Sequence, residues 1–199
     1  MDLIVGDDGL ARCPWGANPP DYRAYHDLEW GRPVRGDQAI FERLSLEAFQ
    51  SGLSWLTVLR KRDAFRDAFA AFEPSAVAAF GSDDVARLLA DPGIVRNRAK
   101  VEATIANARV LLAWQDADGG EVLDPLVWSL VAPTPPPRGH DDVPAESEAS
   151  RTLVRALKGR GWRFLGPTTA YAALQAMGVV DDHLVGCHAR GSAGPPSTP

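Results

Sequence analysis

The strongest periodic pattern in the chain predicts a helix over residues 37–50, ending before Gly52. At 100° per residue, four apolar side chains fall on one stripe of this helix: Ile40, Phe41, Leu44 and Ala48. Asp37 stands where a helix cap is expected. Glu47 lies about 20° outside Ile40, at the edge of the stripe, where a surface glutamate is not expected. Two interpretations stay open for Glu47: an acid that faces a pocket, or a side chain that reaches water or caps a neighbouring backbone.

Helical spacing recurs along most of the chain, and no alternating segment is long enough to predict a strand. The further predicted helices cover residues 22–30, 54–72, 75–80, 83–90, 96–115, 124–130, 147–158 and 168–177. A Pro-Gly turn at residues 91–95 separates two of them, which predicts a helix-hairpin-helix element. The proline-rich residues 132–146 form a predicted surface loop. The expected fold class is therefore all-α.

The composition is that of an ordinary globular protein, with 199 residues, 45% hydrophobic and 24% charged. This length fits one domain of two lobes, which we place at residues 12–190. Residues 1–11 form a predicted N-terminal extension and residues 191–199 a flexible tail. No apolar run reaches the roughly 18 residues of a membrane span, and the N-terminus lacks a basic signal-peptide start. We therefore expect a cytoplasmic protein with no membrane partner.

Charge is unevenly distributed along the chain. The net charge of -5 argues against a protein that coats nucleic acid by bulk electrostatics. Two stretches nevertheless contain basic residues and no acids: one holds Arg96, Arg98 and Lys100 after the Pro-Gly turn, and the other spans residues 151–180. Each stretch is either a solvated helix face or part of a localised phosphate-binding surface.

Two cysteines and two histidines at opposite ends of the chain make a Cys2His2 set: Cys13, His26, His183 and Cys187. This donor set suits a tetrahedral Zn²⁺. The spacing of His183 and Cys187 would place both on one face of a helix. The alternatives are free buried cysteines, an exposed histidine, or two half-sites that never meet. A disulfide is not expected from two distant cysteines in a reducing compartment.

Several short motifs occur in an order that identifies a family. They are Cys13, Tyr25-His-Asp, Glu29-Trp-Gly31, Leu46-Glu47, Gly52-Leu-Ser-Trp55, Gly93-Ile94 and Asp182-His-Leu-Val-Gly-Cys187. Together they resemble the constitutive bacterial DNA-3-methyladenine glycosylase I family, from about Arg12 to Arg190. The resemblance implies a helix-hairpin-helix glycosylase fold. It also implies one structural zinc per chain, which joins the N- and C-terminal segments through the Cys2His2 set and has no free position for a water nucleophile.

The resemblance further implies base-excision repair by a monofunctional enzyme. Such an enzyme flips 3-methyladenine out of alkylated double-stranded DNA and hydrolyses its N-glycosidic bond. Glu47 would be the catalytic residue and would also bind the base, and the other candidate substrate contacts are Tyr22, Tyr25, Trp30, Trp55 and Thr168. Core packing is the alternative for most of these rings. A Schiff-base lyase is not expected, because Asn97 occupies the position where related enzymes carry a lysine.

The implied DNA contacts lie around the hairpin and the turn after Gly52. The candidates are Leu53 as a wedge, Gly93 in the hairpin, and Arg96 and Lys100 as phosphate contacts. Core packing is the alternative for Leu53. The expected partners are duplex DNA and 3-methyladenine, with the protein a monomer. Two other functions stay open at this point: a non-catalytic helix-hairpin-helix DNA-binding protein, and a zinc-dependent hydrolase.

Overall fold

The computed structural model describes residues 3–192. Ten α-helices lie within them: α1 (Pro20–Leu28), α2 (Asp37–Gln50), α3 (Trp55–Leu59), α4 (Arg62–Ala68), α5 (Pro74–Ala78), α6 (Ser82–Ala90), α7 (Arg98–Asp118), α8 (Leu123–Trp128), α9 (Glu148–Gly159) and α10 (Pro167–Ala176). Short 3-10 turns cover Pro14–Gly16, Ala70–Phe72 and His140–Asp142. Strands β1 (Ile4–Val5) and β2 (Ala11–Arg12) pair in an antiparallel hairpin. The all-α prediction is confirmed, with this small hairpin added.

The long helix α7 and the helix α2 run through one continuous apolar core. Helix α5 packs on α7, and α10 packs on both α2 and α9. The predicted stripe of α2 faces this core, since Ile40 and Phe41 are fully buried. Glu47 on the same helix is also buried, at 4% exposure. The pattern thus predicted the inward face of α2 and the unusual position of its one inward-facing glutamate.

The single helix predicted over residues 54–72 is wrong, because the chain breaks there into α3, α4 and a 3-10 turn. Ala70, Ala71 and Phe72 all have positive φ, between 51° and 54°. This conformation costs roughly 1–2 kcal/mol per residue outside glycine. It turns Phe72 into the core, where its ring stacks on Phe69 at 5.4 Å between centroids. Long-range packing of Phe72 therefore overrides the local helical preference.

Asp37 does not cap its own helix as predicted. It is the first residue of α2, and Gly36 occupies the capping position. The buried Asp37 carboxylate instead accepts hydrogen bonds from the backbone N–H groups of Val122, Leu123 and Asp124 at 2.8–2.9 Å. It also accepts one from Gln115 Nε2 at 2.7 Å. Asp37 therefore caps the start of α8 and joins it to the end of α7.

The N-terminal residues contact the body of the protein through Arg12. Its buried guanidinium pairs with Asp8 at 2.6 Å and with Asp27 of α1 at 2.7 Å. The segment predicted as an extension therefore includes a hairpin tied to α1. Most of the predicted C-terminal tail, residues 193–199, lies outside the described residues. None of the helices in the described part of the chain is long and apolar enough to cross a membrane.

Candidate functional site

A cavity of about 840 Å³ opens between α1, α2, α10 and the loop that precedes α9. All six side chains predicted to contact a substrate line it: Tyr22, Tyr25, Trp30, Glu47, Trp55 and Thr168. They come from four separate elements, α1, α2, α3 and α10, and from the turn after α1. The fold thus brings together residues that are up to 146 positions apart in the sequence.

Glu47 is the acid in this cavity. Burial raises its pKa to about 7, although the positive charge of Arg43, one helical turn earlier, opposes the rise. No group within residues 3–192 donates a hydrogen bond to its carboxylate. A buried acid without such a partner is expensive to keep charged. Glu47 is therefore an acceptor that faces the cavity, not a cap for neighbouring backbone.

Aromatic rings form the wall around Glu47. Trp15 packs edge-on against Trp30 at 4.9 Å and against Tyr22 at 6.0 Å between ring centroids. Tyr25 and Trp55 lie 5.4 Å apart, with their planes tilted by 43°. The Tyr22 hydroxyl accepts a hydrogen bond from the backbone N–H of Leu56 at 2.9 Å, which fixes the start of α3. Tyr22 is thus a supporting residue as well as a lining residue.

Three further residues that line the cavity were not predicted to do so: Gln50, Gln175 and Asp182. Gln50 follows Glu47 by three positions, so helical spacing could have identified it. The Asp182 carboxylate accepts hydrogen bonds from Tyr171 Oη at 2.5 Å and Gln175 Nε2 at 2.7 Å, which joins α10 to the C-terminal segment. The predicted surface loop also reaches the cavity, through His140 and residues 143–145.

The Cys2His2 residues meet beside the cavity, and all four are buried. Their ligand atoms lie within 4.8 Å of one another. Cys187 Sγ is 3.4 Å from His26 Nε2 and 3.5 Å from His183 Nδ1, and Cys13 Sγ is 3.8 Å from His183 Nδ1. The segment that carries His183 and Cys187 is not helical but consists of turns and irregular backbone, so helical spacing is not what brings these two residues together. The cluster could hold a metal ion.

Neighbouring groups orient the two histidine rings. His26 Nδ1 lies 2.8 Å from an Asp27 carboxylate oxygen, and His183 Nε2 lies 3.3 Å from the Trp30 carbonyl oxygen. Each contact leaves the other ring nitrogen facing the cysteines, an arrangement typical of metal-ligating histidines. The contacts with Cys13 and the histidines lower the pKa of Cys187, which favours a thiolate ligand. His188 contacts Asp27 at 2.8 Å and stays outside the Cys2His2 set.

The predicted DNA contacts fall on the surface near the cavity, with one exception. Leu53 is 41% exposed, so core packing is excluded for it. Gly93 lies in the turn between α6 and α7, where a Cβ atom would approach Ala64 Cβ to 2.9 Å. Arg96 is exposed in the same turn and forms no ion pair with any described residue. Leu53 and Arg96 are thus exposed, and Gly93 is half-buried in a surface turn.

The prediction for Lys100 is wrong. Its side chain is buried, and Nζ donates hydrogen bonds to the carbonyl oxygens of Phe49 at 2.9 Å and Ser51 at 2.5 Å. Burial lowers the pKa of Lys100. The cause of the error is the phase of α7, because Lys100 lies on the same helical face as the buried Thr104, Asn107 and Leu111. Lys100 therefore holds the end of α2 and cannot reach a phosphate.

The second basic stretch is largely engaged in contacts within the protein. Arg151 pairs with Glu146, and Arg155 pairs with Glu148, both at 2.8 Å. The solvated-face interpretation therefore fits most of this stretch.

Comparison with known proteins adds independent information. The model of the methyladenine glycosylase family matches residues 15–190. The chain is 44% identical over 181 residues to the DNA-3-methyladenine glycosylase 1 of Escherichia coli, covering 89% of this chain and 96% of the relative. A crystal structure of 3-methyladenine DNA glycosylase I superposes with a TM-score of 0.85 at 43% identity, covering 90% of this chain and 99% of the other.

A further solved structure carries a ligand. It is a single-residue variant of 3-methyladenine DNA glycosylase I in complex with 3-methyladenine. It matches with a TM-score of 0.83 at 35% identity, covering 92% of this chain and 99% of the other. Because the family model spans most of the chain and the similarity extends over nearly the whole length of each relative, this chain belongs to the methyladenine glycosylase family.

Proposed function

We propose that the protein is a monofunctional DNA glycosylase of base-excision repair, which hydrolyses the N-glycosidic bond of 3-methyladenine in alkylated duplex DNA. The observation that carries this proposal is the buried Glu47 carboxylate in an aromatic cavity, without a hydrogen-bond donor in the described chain. Family membership supports the same reaction, since the relatives are 3-methyladenine glycosylases.

Glu47 and the surrounding rings favour a positively charged base. A 3-methyladenine in DNA is cationic, whereas adenine is neutral. The ionised Glu47 attracts the cation, and aromatic faces add roughly 0.5–2 kcal/mol. The cost of ionising Glu47 in the empty cavity is recovered when a cation binds beside it. A neutral, undamaged adenine does not offset the cost of ionising Glu47. The selectivity for 3-methyladenine over adenine therefore arises when the base binds.

Trp55 is the ring that we expect to move when a base enters. A base stacked between two rings needs roughly 7 Å between them, which is two van der Waals spacings. Tyr25 and Trp55 are closer than this and tilted. Tyr25 is 2% exposed, whereas Trp55 begins the short helix α3 and its Nε1 has no hydrogen-bond partner among residues 3–192. Thr168 and Trp30 would line the remaining edge of the base.

The chemistry needs little acid catalysis, because a cationic base is already a good leaving group. Glu47 would hold the charge of the base while water attacks the sugar. None of the described residues that line the cavity is a lysine. Asn97, at the position of the lyase lysine, caps α7 by accepting a hydrogen bond from the Lys100 backbone N–H at 3.2 Å. Water is therefore the acceptor, and the DNA strand stays intact.

We propose that the Cys2His2 cluster holds a structural Zn²⁺. A tetrahedral zinc with ordinary bond lengths places a sulfur and a nitrogen ligand about 3.6 Å apart. The three sulfur–nitrogen distances of 3.4, 3.5 and 3.8 Å fit this value. Four protein ligands leave no position for water, so the ion would supply stability and not the nucleophile. Residues Cys13 and Cys187 would then join the two ends of the chain.

The DNA-binding surface would comprise the turn after Gly52 and the hairpin between α6 and α7. Leu53 would fill the space left by the flipped base, and Gly93 and Arg96 would contact the phosphate backbone. The protein would act as a monomer on duplex DNA. The monomeric state, like the compartment predicted from the sequence, remains a prediction.

The decisive experiment incubates the purified protein with methylated duplex DNA and separates the released bases by chromatography. We expect free 3-methyladenine and abasic sites that break only under alkali. Binding without release would instead indicate a non-catalytic DNA-binding protein. A rate that drops at once on brief exposure to a chelator, before any unfolding, would indicate a zinc hydrolase.

A further inference from the structure

Phe164 is an exposed aromatic residue in a turn whose other large apolar side chains are buried. Its neighbours Trp162 and Leu165 are 5% and 4% exposed, whereas Phe164 is 44% exposed. Its φ is 59°, a left-handed conformation that is unfavourable for a bulky residue. A glycine or asparagine would adopt this backbone more easily. The fold thus presents a large apolar ring to solvent at a position where its backbone is strained.

The turn that carries Phe164 is rigidly held. Asn107 of α7, which is 4% exposed, clamps the preceding residue from both sides. Its Nδ2 donates to the Arg163 carbonyl oxygen at 3.1 Å, and its Oδ1 accepts from the Arg163 backbone N–H at 2.8 Å. The buried Asn107 side chain thus fixes the backbone conformation next to the strained Phe164. Strain that is held in this way is typical of functional positions.

Phe164 lies next to the turn that carries Leu53. Lys100 Nζ is 5.9 Å from the centre of the Phe164 ring and donates hydrogen bonds to the carbonyl oxygens of Phe49 and Ser51. Ser51 immediately precedes Gly52, and Phe49 lies three residues before it. The buried Lys100 therefore joins two turns, each of which carries an exposed apolar side chain.

Residues beside both turns line the cavity. Gln50 and Trp55, on either side of Leu53, line it, and so does Thr168, four residues after Phe164. Phe164 itself does not line the cavity. The exposed Arg163 stands beside Phe164 and forms no ion pair within residues 3–192. Two apolar side chains at the mouth of a base-sized cavity, with a free cation beside them, match the chemistry of stacked bases and phosphates.

We propose that Phe164 is a second intercalating residue, which stacks against a base next to the extruded nucleotide while Leu53 occupies the vacated space. Extrusion leaves the neighbouring bases without a stacking partner, and an aromatic ring replaces that contact. Lys100 is a positioning residue that fixes the spacing of the two side chains. This inference rests on the proposed glycosylase function.

The test uses a duplex with a stable abasic analogue and 2-aminopurine in the opposite strand. Binding of the parent protein should change the 2-aminopurine fluorescence, because a protein ring alters its stacking. We expect Phe164→Ala to lose most of this change and to bind the duplex roughly tenfold more weakly, as for the loss of one base–aromatic stack. Affinity for free 3-methyladenine should stay at the parent value. Val5→Ala, which alters another exposed apolar residue on the distant hairpin, should leave every readout unchanged.

A second variant separates DNA contact from a role in the fold. Phe164→Gly relieves the strained backbone, so its unfolding temperature should equal or exceed that of the parent while duplex binding falls as in Phe164→Ala. Unchanged duplex binding and fluorescence in both variants, with an active parent, would overturn this inference alone. A lower unfolding temperature with unchanged duplex binding would also overturn it, because Phe164 would then be structural. A parent that neither releases 3-methyladenine nor prefers the abasic duplex would overturn the proposed function, and this inference with it.

Discussion

Replacing Glu47 by glutamine removes a negative charge that is costly to bury. The cavity needs this charge only when a cationic base is bound. In the folded protein, burial raises the pKa of Glu47 to about 7 from its ordinary value of 4.5. An acid with a raised pKa stabilises the fold fully below its unfolded pKa, and this stabilisation is lost as the pH rises through the folded pKa. For Glu47 the loss accumulates between about pH 4.5 and pH 7 and reaches roughly 3 kcal/mol.

Glutamine has the same shape and stays neutral, so Glu47→Gln should not suffer this loss. We expect the two proteins to have similar free energies of unfolding at pH 5. At pH 8 the variant should be more stable by up to roughly 3 kcal/mol. The measurement is urea unfolding of both proteins at several pH values from 5 to 8, compared as a difference so that other titrating groups cancel.

A matched control is available on the same helix. Glu42 pairs with Arg66 at 2.8 Å, so Glu42→Gln removes a partnered carboxylate and should show no gain in stability as the pH rises. A Glu47→Gln variant that is less stable than the parent at pH 8, or whose stability difference is the same at every pH, would refute the reasoning. Glu47 would then be a structural acid with a partner.

The same substitution should weaken function while it strengthens the fold. Only the ionised Glu47 attracts a cationic base, so kcat/KM of the parent should rise with pH up to about 7. Glu47→Gln should excise more slowly and should lack this rise. A variant that excises 3-methyladenine as fast as the parent at all pH values would show that the carboxylate is not used.

Three further predictions concern the metal, the fold and the DNA surface. Cys187→Ser should lose the zinc, measured by elemental analysis, and should also bind free 3-methyladenine more weakly, because the ligand rings support the cavity wall. Asp37→Ala should lower the free energy of unfolding by about 2 kcal/mol or more, since three backbone N–H groups lose their acceptor. Arg96→Ala should reduce the salt slope of duplex binding by about 1. Lys100→Ala should leave that slope unchanged and lower stability.

The sequence predicted the environment of a residue correctly where that environment depends on the helix or motif that contains the residue. Helical spacing placed Glu47 at the edge of the inward face of α2, and an inward-facing glutamate is rare enough to indicate a site. The cysteines and histidines were identifiable because few other uses exist for that set in one chain. The ordered motifs then identified the family, which cannot be inferred from the spacing of apolar residues.

The sequence did not predict the environment of a side chain that contacts an element far away along the chain. Asp37 has the position of a cap for α2, yet its carboxylate lies against α8, more than eighty residues away along the chain. Lys100 belongs to a basic stretch that was expected to be exposed, but it lies on the buried face of α7 and contacts carbonyls at the end of α2. Such contacts depend on how elements pack, and a single sequence does not record this packing.

The metal cluster and the cavity form one unit, which changes the role expected for the zinc. A zinc that only linked the N- and C-terminal segments would stabilise the protein without affecting the binding of the base. Here the His183 ring lies 4.6 Å from Trp30, and the His26 ring lies 5.2 Å from Trp15, and both tryptophans line the cavity. The Trp30 carbonyl oxygen also contacts His183. Because packed rings have few alternative arrangements, fixing the histidines fixes the wall against which a base must fit. The structural ion that we propose at this position would therefore act on recognition as well as on stability.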